Sequence, residues 1–389
     1  MNKIFLINLF LIFFISCRGE SRIEISAGAE QPEKYLSLIA GKRVGLVVNH
    51  SAMCGNVHLV DFLLEQNIKV SAIFAPEHGF RGDAAAGETV NDGIDKKTGI
   101  PVISLYGKNR KPETRHLKGI DIMIFDIQDV GCRFYTYIST LHLVMEVCAG
   151  QEIPLIVFDR PNPNGDYVAG PVLEPGFESF VGMHPIPVVH GCTVGELAMM
   201  INGEKWLKTQ NKCDLIVIGV DNYTHSTKYS LPVKPSPNLP NDLAVRLYPS
   251  LCFFEATNIS VGRGTEFPFQ VLGAPVAGMG DFRFTPVSIP GVAVNPLHEG
   301  KMCYGVDLRQ LAEIPRFTME FFLDFYSRFE NEKDFLTREN WFNLLAGNNK
   351  LISQIREGCS EQEIRDSWDP DIEEYKNIRK KYLLYPDFE

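Results

Sequence analysis

From residue 42 onward the chain alternates short unbroken apolar runs with stretches whose apolar residues recur at helical spacing. The runs at 44–48, 70–74, 102–105, 122–125, 155–158 and 215–220 are strand candidates. Between them, 58–66, 137–149 and 194–206 carry the amphipathic period of helices. A strand that is apolar on both faces belongs inside a parallel sheet covered by helices on either side. The pattern therefore predicts an α/β fold: a Rossmann-like, doubly wound, mainly parallel sheet over residues 33–230. A proline-rich stretch at 231–240 breaks the alternation and reads as an ordered connector. Beyond it lie Gly- and Pro-punctuated segments and helical patterns near 318–329 and 372–384. That region is expected to be a smaller α+β domain, 231–389, closing a cleft. No internal repeat or low-complexity tract interrupts either part.

The first residues follow another pattern. Lys3 supplies a positive start, and 4–15 is almost wholly apolar. The run falls short of the ~20 residues a spanning helix needs but suits a signal-peptide core. It ends at Phe14-Ile15-Ser16-Cys17, just before Arg18-Gly19-Glu20. This resembles a bacterial lipoprotein signal covering 1–16, with Cys17 as the lipidated residue. The other reading is cleavage near Ser16 with Cys17 unmodified. Residues 17–32 read as a tether. The chain is thus expected to be exported and lipid-anchored in the bacterial cell envelope, touching the membrane through acyl chains on Cys17.

Composition narrows the function classes. Hydrophobic residues make up 45% and charged residues 22%, ordinary globular usage. The 38 Lys and Arg against 48 Asp and Glu give a net charge of −10, so nucleic acid is not an expected partner. Past Cys17 stand Cys54, Cys132, Cys148, Cys192, Cys213, Cys252, Cys303 and Cys359. They show no CxxC and mostly sit in apolar runs, which suits buried free thiols better than a disulfide framework. No His/Cys spacing resembles a zinc site, so no metal is expected.

In open α/β sheets ligands bind beyond the carboxyl ends of the strands. Reading past each predicted strand gives Asn49-His50-Ser51, then Pro76-Glu77-His78-Gly79-Phe80-Arg81, then Tyr106-Gly107-Lys108. Asp126-Ile127-Gln128-Asp129-Val130-Gly131-Cys132-Arg133-Phe134-Tyr135 and Asp159-Arg160-Pro161-Asn162-Pro163 follow, and 186–189 ends at His190. Polar groups after so many strands imply one shared cleft. A dinucleotide fingerprint, a P-loop, a nucleophile elbow and a zincin helix are all missing from the sequence, so no cofactor is expected.

A carboxylate-rich cleft with Arg, Tyr, Asn and His suits glycoside hydrolysis, where a protonated acid donates to the leaving oxygen. Glu77 is the best-placed acid. Phe74, Ala75 and Phe80 are expected to wall it with apolar surface and favour its neutral form. The plainer reading is a helix cap or an ion pair with Arg81. Asp126 and Asp129 are candidates for the second carboxylate, or caps for the next helix. Arg81, Arg133 and Arg160 read as clamps for an anionic group or as structural pairs. Asn162 reads as a sugar contact or a turn residue, and His50, His78 and His190 as contacts or core histidines. Tyr135 joins them as a substrate contact. In the second half, 253–269 mixes aromatics, glycine and polar groups, either a sugar-binding surface or core. It supplies Arg263 and Glu266 as contacts, with Glu255 as a spare carboxylate.

Four segments resemble one family in this order. They are Phe74-Ala75-Pro76-Glu77-His78-Gly79-Phe80-Arg81-Gly82, the stretch from Asp126 to Tyr137, Asp159-Arg160-Pro161-Asn162-Pro163, and Val261-Gly262-Arg263-Gly264-Thr265. They look like the YbbC-like exo-β-N-acetylmuramidases, also called NamZ. The resemblance implies removal of terminal β-N-acetylmuramic acid from the non-reducing end of peptidoglycan fragments. It also implies muropeptide or glycan-strand ends as partners, and Glu77 as the catalytic glutamate. The lactyl carboxylate of muramic acid would give cleft arginines a purpose, and the loop 81–98 would serve as a lid. Two other classes remain: a non-catalytic wall-sugar-binding lipoprotein, and an esterase or amidase on the same scaffold.

Overall fold

The structure, a computed structural model, describes residues 24–77, 79–81, 92–107 and 109–389. The signal-like stretch, Cys17, His78 and most of the expected lid lie outside these residues.

The first half supplies strands β1 (Arg43–Val48), β2 (Met53–Cys54), β3 (Val57–His58), β4 (Lys69–Ala75), β5 (Gly93–Ile94) and β6 (Pro101–Ser104). It continues with β7 (Ile122–Asp126), β8 (Leu155–Phe158), β9 (Ala169–Val172), β10 (Pro187–Val189) and β11 (Leu215–Ile218). Helices α1 (Pro32–Ile39), α2 (Leu59–Glu65), α3 (Tyr137–Gln151) and α4 (Val194–Gly203) are interleaved with them. A seven-stranded sheet runs β11-β8-β7-β1-β4-β6-β5, and only β5 pairs antiparallel. Its six parallel strands, counted along the chain, lie in the order 6-5-4-1-2-3. That is the doubly wound order, with its switch point between β1 and β7.

The sequence dictates this layering. Every residue of β7 and β8 is buried, as continuous apolar runs require when helices cover both faces. Helix α3 buries ten of its fifteen residues, and it stops where Glu152 turns left-handed at φ 54°. Helix α4 starts with a reciprocal cap: Thr193 accepts from the Glu196 amide, and Glu196 accepts from the Thr193 amide. Such a cap is worth about 1 kcal/mol.

The second half holds α5 (Asp242–Leu251) and a three-stranded antiparallel sheet of β12 (Val271–Ala274), β13 (Phe282–Phe284) and β14 (Cys303–Asp307), with β14 central. Helices α6 (Glu320–Ser327), α7 (Glu332–Phe335), α8 (Glu339–Ala346), α9 (Lys350–Arg356), α10 (Glu361–Asp366) and α11 (Asp369–Arg379) follow. One apolar core joins the halves, since Phe74 and Phe125 of the sheet belong to the same buried cluster as Phe253, Phe254 and Phe342.

Both ends of the described chain return to the first half. The Tyr375 hydroxyl donates to the His190 carbonyl at 2.6 Å, and Arg379 donates to the Gly191 carbonyl at 2.8 and 3.0 Å. Residues 26–31, expected to belong to the tether, are docked rather than extended. Ser26 pairs with Asp221, Ala29 is fully buried, and the Gln31 amide donates to the Gly219 carbonyl at 2.7 Å. Their small and polar composition hid a set of backbone bonds to the end of the sheet. Among the described residues no helix is long and apolar enough to cross a membrane.

Candidate active site

The strand ends are polar as expected, but most of their side chains are committed to the fold. Asp126, fully buried at the end of β7, accepts from Arg160 at 2.5 and 2.8 Å. Arg160 also donates to the Met53 carbonyl at 2.9 Å. Burial works against the Arg160 charge, and the Asp126 carboxylate more than offsets it, so the guanidinium sits above its ordinary pKa. Asn162 donates to the Cys192 carbonyl at 2.8 Å and accepts from the Asn164 amide at 2.8 Å. Gly131 has φ 75°, and a Cβ there would lie 2.2 Å from Asn162 Oδ1. That approach explains why a glycine interrupts the Asp129–Tyr135 motif. Asp129 accepts from the Gly131 amide at 2.7 Å and stands 3.6 Å from His190, and both side chains are buried. His50 bonds the Lys234 carbonyl at 2.8 Å. None of these residues lines the main cavity described below.

Arg81 and Arg133 are also tied elsewhere. Arg81 meets Asp95 in two bonds at 3.0 and 3.2 Å, and Asp61 stands at 3.6 Å. Partial burial opposes the Asp95 charge, but Arg81 and Thr98 hold its carboxyl down at about 2. Arg133 is fully buried, and its two terminal nitrogens donate to four carbonyls. Pro171 and Ile186 belong to the first half, Leu345 and Ala346 to the end of α8, all at 2.7–2.8 Å. A cation at a helix C-terminus also meets the negative end of the helix dipole. Gly347 permits the approach: it sits at φ 77°, and a Cβ on it would meet Arg133 Nη2 at 2.8 Å. Burial pulls the Arg133 pKa down to about 10, so it remains charged at neutral pH.

A cavity of about 750 Å³ lies between the halves. The first half contributes Glu77, Tyr106, Arg110, Phe134, Thr136, Ser179 and Phe180. The second contributes Tyr248, Glu255, Thr257, Ser260, Arg263, Arg338 and Trp341. A narrow extension of about 70 Å³ carries Tyr135, Tyr137 and Asn238, again with Glu77 and Arg263. Tyr135 donates its hydroxyl to the Pro235 carbonyl at 2.8 Å.

Glu77 follows β4 in the turn that closes with the Gly79 amide on the Pro76 carbonyl at 3.1 Å. Tyr106 lines the same cavity, and the Glu77 charge acts on its hydroxyl. Burial first, then the Glu77 charge, pushes the Tyr106 phenol above its ordinary value, so at neutral pH it keeps its proton. The apolar wall expected from Phe74, Ala75 and Phe80 is absent from the cavity, because all three pack into core clusters. The rings that do line it are Tyr106, Phe134, Phe180, Tyr248, Phe254 and Trp341.

Three arginines line this cavity, and Arg263 alone was anticipated. Its guanidinium pairs with Glu255 at 2.6 Å and lies 5.0 Å from the Phe269 ring centre. Arg110 lies on the Phe180 ring at 4.3 Å and Arg338 on the Trp341 ring at 5.2 Å. Glu266 is exposed and off the cavity. The segment 253–269 serves both expected roles: Phe253, Phe254 and Phe269 are core, while Thr257, Ser260 and Arg263 face the cavity. Arg110 and Arg338 had no sequence signal, since each sits among other charged residues rather than directly at a strand end. Tyr106 did carry one, standing just past β6.

Comparison with known proteins decides the family. A family model described as exo-β-N-acetylmuramidase NamZ, N-terminal, matches residues 44–243, and its C-terminal counterpart matches residues 246–385. The chain belongs to the exo-β-N-acetylmuramidase NamZ family, a family of glycosidases. It is 40% identical over 372 residues to the peptidoglycan β-N-acetylmuramidase NamZ of Bacillus subtilis (strain 168), across 90% of this chain and 89% of that one. A crystal structure of a DUF1343 family protein from Bacteroides fragilis NCTC 9343 superposes with TM-score 0.87 at 46% identity, over 94% of this chain and 99% of that one. A second from the same organism gives TM-score 0.77 at 28% identity, over 94% and 100% of the two chains. The cavity with Glu77 is thus part of a NamZ-family fold built from both matched segments.

Proposed function

We propose that this member of the NamZ family removes terminal β-N-acetylmuramic acid from the non-reducing end of peptidoglycan fragments, with Glu77 as the general acid. One observation carries the reading: Glu77 faces the same cavity as Arg110 and Arg338, whose guanidinium groups rest on aromatic rings. Rings and carboxylates suit a sugar, and cations at the rim suit its lactyl carboxylate. The cavity volume of about 750 Å³ accommodates a terminal sugar with its acetamido and lactyl branches. Walls from both halves suit a chain end better than a chain interior.

In this reading Glu77 protonates the glycosidic oxygen as the bond to C1 breaks. Tyr106 orients the carboxyl group, and the departing sugar leaves as an alcohol. The apolar run at 4–15 and Cys17 support export and lipid anchoring, which would hold the enzyme among wall fragments. A cavity lined by two carboxylates and a tyrosine favours turnover over simple sugar binding.

The test is release of an unactivated alcohol from a β-N-acetylmuramide. Wild type is expected to turn it over. Glu77→Gln is expected to lose about 10²–10⁴-fold in kcat, the usual worth of a general acid. Near-wild-type activity in that variant would sink the assignment of Glu77. Binding of the sugar by wild type without any turnover would replace the enzyme with a lectin-like protein.

A further inference from the structure

Glycoside chemistry on a carboxylate pair needs a second group, and the two sequence candidates are unsuited to it. Asp126 is locked to Arg160 and buried, and Asp129 lies off the cavity. Among the described residues lining the cavity, Glu255 is the carboxylate besides Glu77. It sits in the turn 252–256 that follows α5, on the wall contributed by the second half. Its partner is Arg263, which reaches it at 2.6 Å and also lines the cavity. The guanidinium holds the Glu255 carboxylate in place on the cavity wall by a charge-assisted hydrogen bond. With Glu77 as the proton donor of the reading above, Glu255 is the carboxylate left to face the reacting sugar from the opposite half.

We propose that Glu255 is the second catalytic carboxylate, facing the positive charge that develops at C1. This rests on the reading above. Glu77 gives its proton to the glycosidic oxygen, and the C1–O electron pair stays on that oxygen. The substrate's own acetamido oxygen donates a lone pair to C1, so the positive charge passes to the acetamido group. Glu255 lies opposite this cation and stabilises it. Water then adds at C1, the acetamido oxygen recovers its pair, and Glu77 takes the proton from the water. Atoms and charge balance, and no further reactant is needed. Arg263 is a positioning residue: it holds the carboxylate in place at 2.6 Å.

The experiment compares two leaving groups, an unactivated alcohol and 2,4-dinitrophenol, which departs without protonation. Glu77→Gln is expected to regain most of its lost rate with dinitrophenol. Glu255→Gln is expected to lose on the order of 10²–10³-fold in kcat with both, because the charge at C1 develops either way. Glu255→Asp keeps the charge and should recover at least tenfold over Glu255→Gln. Binding of free N-acetylmuramic acid and the thermal midpoint show whether each variant is folded, and Glu255→Asp carries the test if Glu255→Gln is not. A Glu255→Gln enzyme with kcat near wild type, or one rescued by dinitrophenol as Glu77→Gln is, overturns the proposal. An inactive wild type would instead overturn the muramidase reading, so the two failures are distinguishable.

Discussion

The carboxyl edge of the sheet and the cavity beside it are built from the same residue types and behave differently. At the edge, Asp126, Arg160, Asn162 and Arg133 are buried and bonded to specific partners in the fold. In the cavity, Arg110 and Arg338 rest on rings at the exposed rim, and Glu77 and Glu255 face open space. An arginine fully buried with its terminal nitrogens bonded to four carbonyls is sealed off from substrate, whereas one lying on an aromatic face at the rim keeps its edge available. Polarity at a strand end therefore marks a place where chemistry can sit, and burial decides whether it does.

The comparison breaks most visibly at Arg133. Replacing it with Met strips donors from four buried carbonyls and opens the join between the halves. At about 1–3 kcal/mol for each unsatisfied group, less than additively, a loss of about 4 kcal/mol or more is expected. Urea denaturation measures it, and soluble yield should fall with it. A stable Arg133→Met with impaired substrate affinity would move Arg133 back among the binding residues.

Asp126→Ala should cost roughly 3–5 kcal/mol by leaving Arg160 buried without its partner. The folded fraction, titrated with a tight inhibitor, should keep wild-type kcat. A normal stability with a large loss of kcat would return Asp126 to the catalytic pair.

Asp159 sharpens the edge side through pH. It accepts from Thr193, Gly195 and Tyr385, but burial dominates and raises its pKa to about 6. A carboxyl group raised above the ordinary ~3.9 binds its proton more tightly in the folded state. Its contribution is therefore complete below about pH 4 and is lost as pH rises through 6. The expected loss is on the order of 2 kcal/mol. Urea midpoints from pH 4 to 7 should show this fall in wild type, and Asp159→Asn should flatten it.

On the cavity side, Arg338→Ala and Arg110→Ala should each raise KM for a β-N-acetylmuramide about tenfold, the worth of one charge-assisted hydrogen bond. Thermal midpoints should not move. A glucosaminide lacks the lactyl group, so whatever residual turnover it has should be the same in wild type and variants. Equal losses on both sugars would show that these arginines serve something other than the lactyl carboxylate.

The smallest effect is expected at Arg81. The depressed Asp95 carboxyl contributes stability above about pH 4 that is lost as pH falls toward 2. Arg81→Met should already lack it at pH 5, by about 1 kcal/mol, the upper end for a surface pair, since this one is part-buried. Hydrogen exchange of the Ile100 amide, bonded within that clip, reports it, and kcat should stay unchanged.

Much of the architecture was legible in the sequence. The six apolar runs all became strands of the seven-stranded sheet, because a run apolar on both faces has few other places to go. The turn holding Glu77 was legible too, since Pro76 and Gly79 bracket it just past β4. Arg160 and Arg133 misled because bidentate geometry suits a buried carboxylate or a helix end as well as it suits a ligand. The docked 26–31 segment was missed because backbone pairing leaves no composition signal.

By itself the sequence determined the parallel sheet and the short list of ionisable groups near the strand ends, because those follow from local periodicity and turn chemistry. The tertiary structure alone decided which of those groups face a cavity. Arg110, Glu255 and Arg338 lie far apart along the chain and meet only because the second half packs over the sheet. Packing of that kind sets burial and charge pairing, and these decide whether a carboxylate or a guanidinium holds the fold or meets a sugar.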